Sequence, residues 1–206
     1  MSSRNSGVIH AGMYYPENSL KAKFCVEGNK LLYEYANQKN IAHKKTGKFI
    51  ISTRKSELHK LDKIYEQGLA NGVIIKKCSS NEIKNKEPSL NVKAGLYSPE
   101  TGIIDVPEFV TALEGDIQHK GGIISFNTEF LSANKINGNF SITCKDQDEF
   151  EIKAKTLINA SGLNSDFVSK NIKSLNKKYI YKINYAKGHY FKYSGENPFS
   201  CLIYPL

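Results

Sequence analysis

The dipeptide Asn137-Gly138 separates two runs, Phe130 to Ile136 and Phe140 to Cys144, in which apolar and polar residues alternate. Asn-Gly accepts φ > 0 at both central positions of a two-residue hairpin turn, and period-two alternation gives each strand one core-facing side. A third alternating run, Phe150 to Ala154, follows the polar turn Asp146-Gln147-Asp148. Three consecutive antiparallel strands, a β-meander, are therefore predicted. With helical patterns on either side, the chain reads as a mixed α/β (α+β) protein with a meander insertion.

The rest of the chain alternates helical and extended signals. Ser19 is an N-cap ahead of a helix in which Leu20, Phe24, Leu31, Leu32 and Tyr35 recur at helical spacing, and Gly28 is a break or bend. Lys48 to Ser52 is a strand. A helix from Ser56 to Asn71 carries Leu58, Leu61, Tyr65 and Leu69 on one face and ends at Asn71-Gly72 with a left-handed cap. Val73-Ile74-Ile75 is a short strand, Ser79 to Lys86 one or two helical turns stopped by Pro88, and Asn91 to Glu100 a loop. Asp105, Pro107 and Glu108 have capping-box spacing for a helix running through Phe109, Leu113 and Ile117 to Gly121-Gly122. Ile123 to Phe126 is a strand. After the meander, Lys155 to Gly162 passes from apolar to small residues, and Ser165-Asp166 open a short helix. Tyr179 to Leu206 alternates again, which predicts antiparallel strands of a second domain.

The 206 residues, 40% hydrophobic and 24% charged, suffice for one large domain or two small ones and exclude disorder. No apolar run is long enough to span a bilayer, and no apolar signal region follows the polar first residues. A net charge of +9 raises nucleic acid or an anionic membrane as partners. The charge is nearly all scattered lysine, with Arg4 and Arg54 the only arginines, so a solvated lysine surface is expected and nucleic acid is not. Cys25, Cys78, Cys144 and Cys201 are far apart and form no C-x-x-C pair. They read as core thiols of a reducing compartment, and no metal site is expected. His43, His59 and His119 are assigned no chemistry.

The stretch Ser3-Arg4-Asn5-Ser6-Gly7-Val8-Ile9-His10-Ala11-Gly12-Met13-Tyr14-Tyr15 sits where a polar arm would be the ordinary reading. Its glycines let the backbone approach a flat ligand, Ser6 and nearby N–H groups suit an anion, and His10 titrates near neutral pH. Together with Ser19-Leu20-Lys21-Ala22-Lys23 and Gly28 to Tyr35, it resembles the FAD-dependent L-2-hydroxyglutarate dehydrogenase/oxidase family, part of the D-amino-acid-oxidase-like flavoenzymes. The Ile-His-x-Gly pattern is also similar to flavin-linked glycerol-3-phosphate dehydrogenases.

The resemblance implies FAD as cofactor and a particular architecture. An FAD/NAD(P)-binding-type domain with the meander would comprise residues 1–45 and 100–172, and a discontinuous antiparallel-sheet substrate domain residues 46–99 and 173–206. In that family a strand, a G-x-G-x-x-G turn and an acidic ribose ligand precede the His10 stretch. This chain contains no G-x-G-x-x-G, and it ends soon after a Leu202-Ile203-Tyr204-Pro205 strand. The expectation is a piece of a longer flavoenzyme, truncated at both ends, that holds FAD weakly or not at all by itself.

The resemblance also assigns residues. His10 is implied as the active-site histidine or flavin neighbour, against a structural histidine bonded to backbone. Ser6 and Gly7 would lie along the flavin. Ala160 and Gly162, in Asn159-Ala160-Ser161-Gly162, would form a second FAD contact, against an ordinary strand-to-helix turn. Phe130 would meet the adenine through backbone groups, against a core phenylalanine. Tyr14 would line the substrate side, against packing between domains. Lys187-Gly188-His189-Tyr190 is similar to the Arg-Gly-x-Tyr segment that faces substrate, with Lys187 as the catalytic-site cation and Tyr190 on the substrate. A lysine there is a point charge without the arginine fork, and its other reading is a solvated edge strand.

The implied reaction oxidises L-2-hydroxyglutarate, or a similar small-molecule 2-hydroxy acid, to the 2-oxo acid by hydride transfer to flavin N5. A quinone, another electron acceptor or oxygen takes the electrons. The expected location is the cytoplasm, with peripheral contact at the inner face of the membrane. Glycerol-3-phosphate or an amino acid as substrate is the alternative, and a non-enzymatic basic binding module a more distant one.

Overall fold

The computed structural model describes residues 5–206; Ser3 and Arg4, with which the N-terminal stretch opens, lie outside the described residues. In chain order the elements are β1 (Val8–Ile9), α1 (Leu20–Gln38), β2 (His43–Lys44), β3 (Lys48–Ser52), α2 (Leu58–Ala70), β4 (Lys76–Ser79), α3 (Ser80–Lys86), β5 (Ala94–Ser98), β6 (Gly102–Ile104), α4 (Val106–His119), β7 (Glu129–Ile136), β8 (Asn139–Lys145), β9 (Glu149–Ala154), α5 (Ser165–Lys170) and β10 (Leu202–Pro205). The chain divides into two compact units, Met1–His119 with Tyr193–Leu206, and Lys120–Lys192. Among the described residues no helix is long and apolar enough to cross a membrane.

The first unit is built on β3. Its five residues are all buried. It pairs antiparallel with β5 on one side and parallel with β10 on the other, in a sheet ordered β10-β3-β5-β4. Alternate residues of a strand face opposite sides of its sheet. Accordingly Ile50 joins Ala11, Met13, Leu61, Val73 and Leu96 in one cluster, under α2. Phe49 and Ile51 join Cys78, Ile83, Val92 and Cys201 in the other, under α3. A Cβ on Gly95 of β5 would stand 2.7 Å from the Ile50 carbonyl oxygen and 2.9 Å from Ile83, so α3 seats only over a glycine. A smaller antiparallel sheet, β1-β6-β2, brings the N-terminal stretch against α1.

Local capping follows the residues expected. The Ser19 hydroxyl accepts from the Ala22 N–H at 3.1 Å. Helix α2 closes with Val73 N–H to the Gly68 carbonyl and Gly72 N–H to the Leu69 carbonyl, both 2.9 Å, the paired bonds of a Schellman motif. Asp105 accepts from the Glu108 N–H at 2.9 Å, but the Glu108 carboxylate turns away and accepts from the Ala42 N–H at 2.7 Å, tying α4 to the loop after α1.

Several expectations are corrected. Helix α1 runs unbroken through Gly28, because no neighbour forces a bend there. Its buried side is Ala22, Asn29, Tyr33 and Ala36, while Leu20, Phe24 and Leu31 face outward, each more than 60% exposed. The inner face is small and polar because Asn29 and Tyr33 bind backbone carbonyls there. Leu31, Leu32 and Tyr35 instead line an open apolar groove with Phe109 and Leu113 of α4. Asn91 to Glu100 is not a loop throughout: Ala94–Ser98 forms β5, because strands on both sides supply the hydrogen bonds that its weak local propensity does not favour. Val73-Ile74-Ile75 is a connector, and the strand begins at Lys76.

Ile123 to Phe126 and the residues leading to Asn159 form no strand, since no neighbouring strand pairs with them. The same holds for most of Tyr179 to Leu206. Only Leu202–Pro205 is a strand, and it pairs parallel rather than antiparallel.

The second unit contains the expected meander, ordered β7-β8-β9. Asn137 (φ 50°) and Gly138 (φ 83°) are both left-handed, as the hairpin turn requires. Ala133, Ile142 and Cys144 form its core. The Ala133 N–H and carbonyl bond to Asn171 and Lys173, which fastens the end of α5 to β7.

Glu87 joins the C-terminal strand to the first unit. Only 1% exposed, its carboxylate accepts from the Ser200 N–H at 3.1 Å, the Ser200 hydroxyl, and the Cys201 thiol at 3.2 Å. Burial pushes the carboxyl pKa up, but these donors outweigh it and hold it below its ordinary 4.5. Burial, and then the same contact, push the Cys201 thiol up to about 12. Replacing Glu87 with Ala strands those donors and should lower stability by about 1–3 kcal/mol, read from a urea midpoint. A depressed folded pKa gives stability that is present above 4.5 and lost as pH falls through the folded value. Glu87→Gln should therefore show a flatter loss of urea midpoint in acid than the wild type.

Candidate functional site

The segment from His10 to Tyr15 has no regular structure, yet its backbone is held by amide side chains. The His10 carbonyl accepts from Asn29 Nδ2 at 3.0 Å and, weakly, from the Cys25 thiol at 3.6 Å. Asn29 Nδ2 also reaches the Glu100 carbonyl at 3.0 Å. The Gly12 carbonyl accepts from Asn71 Nδ2 at 3.1 Å, and the Tyr15 carbonyl from Asn71 at 2.9 Å and Gln67 at 2.6 Å. Buried carbonyls need such partners, and here helices α1 and α2 provide them in place of a sheet. These amides carry no motif; their only sequence signal is polarity on the inner face of a helix or at its end.

The His10 imidazole is exposed, and it feels the charge of a group without a motif, Lys48. Lys48 opens β3 and is only 4% exposed. Its Nζ lies 4.7 Å from the Tyr14 ring centre and 5.3 Å from that of Tyr204, and the two rings are 5.8 Å apart. Among the described residues no carboxylate pairs with it. Burial pushes its pKa down to about 8, against a smaller opposing pull from Cys25. Partial burial, then Lys48 and Lys21, lower the His10 pKa, so the imidazole is neutral at pH 7. The Tyr14 hydroxyl is buried without a hydrogen-bond partner, and burial, with Tyr204 and Tyr15, raises its pKa. A buried cation and an unused donor thus lie together at Lys48 and Tyr14, and the cation is felt at His10. The signal for Lys48 is a lysine at the head of an apolar strand.

The other residues singled out by sequence divide between the units. Ser6 is exposed, and Gly7 is left-handed (φ 63°), with a Cβ there falling 3.1 Å from the Ile104 carbonyl oxygen. In the second unit Phe130 packs partly against the meander core, and a register shift follows it between Phe130 and Ser132. Ala160 is exposed. Gly162 is left-handed (φ 59°) with no atom within 4 Å of where a Cβ would stand. Asn159 shapes that turn, donating to the Ser165 carbonyl at 2.8 Å and accepting from the Ser161 hydroxyl at 2.6 Å. Lys187 and Tyr190 lie in an irregular segment with exposed side chains, Tyr190 at 79%. Taken separately, the unsatisfied Tyr14 hydroxyl of the first unit fits a polar group on a ligand, and the open, left-handed backbone at Gly162 of the second fits the close approach of a pyrophosphate.

Comparison with known proteins identifies the family. The family described as FAD dependent oxidoreductase (DAO) matches residues 1–205. A mitochondrial L-2-hydroxyglutarate dehydrogenase of Arabidopsis thaliana is 35% identical, with all of this chain and 49% of the relative covered. The L-2-hydroxyglutarate dehydrogenase of Escherichia coli K12 is 31% identical, covering all of this chain and 48% of its own. The chain thus spans about half the length of these relatives. Among solved structures, the reduced, FAD-bound L-α-glycerophosphate oxidase of Mycoplasma pneumoniae superposes with a TM-score of 0.77 at 26% identity, over 84% of this chain and 47% of that one. Glycine oxidase of Geobacillus kaustophilus shares the fold, with a TM-score of 0.71 at 18% identity over 82% and 47% of the two chains. A match along nearly the whole chain places this protein in the DAO family of FAD-dependent oxidoreductases.

Proposed function

We propose that the whole protein oxidises L-2-hydroxyglutarate, or a similar 2-hydroxy acid, to the corresponding 2-oxo acid. The observation that carries this reading is identity of 31–35% with dehydrogenases of that name over the entire chain, His10 segment included. His10, neutral near pH 7, accepts the proton of the substrate hydroxyl. Tyr14 lines the substrate side. Lys187 supplies a positive charge for a substrate carboxylate, and Tyr190 contacts the same substrate. FAD, when bound, would supply the hydride acceptor, with a quinone, another acceptor or oxygen as the final oxidant. In the first unit Ser6 and Gly7 would lie along the ring system. In the second, Ala160 and Gly162 offer backbone to the pyrophosphate, and Phe130 offers backbone to the adenine.

Support for a division into an FAD-binding part (1–45, 100–172) and a substrate part (46–99, 173–206) comes from the sheet that joins β3, β4 and β5 to β10; the compact units, Met1–His119 with Tyr193–Leu206 and Lys120–Lys192, are cut at other places. We place the protein in the cytoplasm. A net charge of +9, nearly all lysine, supports peripheral contact with the inner membrane face, where a quinone would be met. The similarity to L-α-glycerophosphate oxidase at 26% identity favours glycerol-3-phosphate as the second reading.

The test uses the complete gene product loaded with FAD. Anaerobic L-2-hydroxyglutarate should bleach the flavin absorbance; bleaching by glycerol-3-phosphate or an amino acid and by no 2-hydroxy acid would overturn the substrate assignment. His10→Asn should lower kcat/KM by about 100-fold or more, the typical contribution of a general base. Because the neutral imidazole is the active form and its pKa is lowered, wild-type kcat/KM should fall with acid only below pH 6.5. A limb above that value would contradict the assignment.

A further inference from the structure

We propose that Lys48, together with the Tyr14 hydroxyl, anchors a carboxylate of the substrate. This rests on the reading of the substrate as a 2-hydroxy acid, and it adds a cation that the sequence comparison does not assign. L-2-hydroxyglutarate carries two carboxylates, so one lysine at Lys187 leaves the second without a cation. Lys48 is the buried charge available for it.

The geometry carries the assignment. An ammonium group that is 4% exposed and, among the described residues, lacks a carboxylate partner is costly to bury, and an apolar residue would serve β3 better. The rings of Tyr14 and Tyr204, 4.7 Å and 5.3 Å from Nζ, hold the cation by their faces. They leave its N–H donors for an acceptor from outside the protein. The Tyr14 hydroxyl is a second donor, buried and unpartnered, on one of those rings. A carboxylate satisfies both, since it accepts on two oxygens at once. Lys48 also lowers the His10 pKa, so the cation and the proton acceptor interact electrostatically.

Lys48→Met keeps the length of the side chain and removes the charge, and it should not unfold the protein. In the FAD-loaded complete gene product, KM for L-2-hydroxyglutarate should rise about 30-fold or more, as for loss of a charged hydrogen bond, while kcat changes far less. Glutarate, which has both carboxylates and no hydroxyl to oxidise, should lose affinity similarly in calorimetry, and Lys48→Arg should recover part of it. Wild-type affinity for glutarate should also weaken above pH 8, as the ammonium is lost, and the variant should lack that limb. The titratable groups facing Lys48 are His10, Cys25, Tyr14 and Tyr204. Of these His10 is shifted down, and Cys25 and Tyr14 up, away from that pH.

Unchanged KM and glutarate affinity in Lys48→Met, with wild-type turnover intact, would overturn the anchor and leave the substrate reading standing. Failure of the wild type to oxidise any 2-hydroxy acid would overturn the substrate reading. Glutarate binding would then decide the anchor alone: Lys48-dependent binding sustains it, and absent or Lys48-independent binding overturns it. A variant altered only in flavin spectrum, with glutarate binding unchanged, would assign Lys48 to the cofactor and overturn it as well.

Discussion

Everything in the first unit depends on β3 being buried along its whole length. A strand paired on both edges and covered on both faces must be apolar, and Phe49, Ile50 and Ile51 are. Burying a side chain such as Ile50 contributes about 1.5–3 kcal/mol, and losing it to Ala typically costs about 2–5 kcal/mol. A strand placed this way also carries its first residue out of water. That residue is Lys48. The interactions that stabilise the sheet therefore raise the energy of the one ammonium group inside it, and the two tyrosine rings offset only part of that cost.

The segment beside it shows the complementary constraint. His10 to Tyr15 is irregular and has no ladder of strand hydrogen bonds to satisfy its backbone. Asn29, Gln67 and Asn71 hold its carbonyls instead, and the unit remains ordered around an irregular loop. Rigid helices thus position an irregular loop, an arrangement common in binding sites. Glu87 does the same for the C-terminal strand, bringing Tyr204 to β3 through the contacts at Ser200 and Cys201.

Local chemistry was the legible part of the sequence. Asn137-Gly138, Ser19, Asp105 and Gly72 each act through neighbours a few residues away, and each does in the structure what its residue type requires. Long-range partners were not legible. Ala94 to Ser98 is a poor strand by propensity and becomes one because β3 and β4 flank it. Leu20, Phe24 and Leu31 have core spacing but face outward, since the inner side of α1 is given to Asn29 and Tyr33. The tyrosines between Tyr179 and Tyr193 alternate like a strand without a partner to pair with. Of the candidate site, His10 and Tyr14 could be found through a motif. Lys48 could not, because its distinction is its environment, one lysine among many in sequence and one of very few buried charges in space.

The account stands or falls on the substrate end of the His10 cluster. The most direct measurement is a crystal structure of the FAD-loaded complete gene product with glutarate bound. The account predicts one carboxylate on Lys48 Nζ and the Tyr14 hydroxyl, with the carbon chain passing His10. Both carboxylates held elsewhere, with Lys48 touching only the rings of Tyr14 and Tyr204, would contradict it.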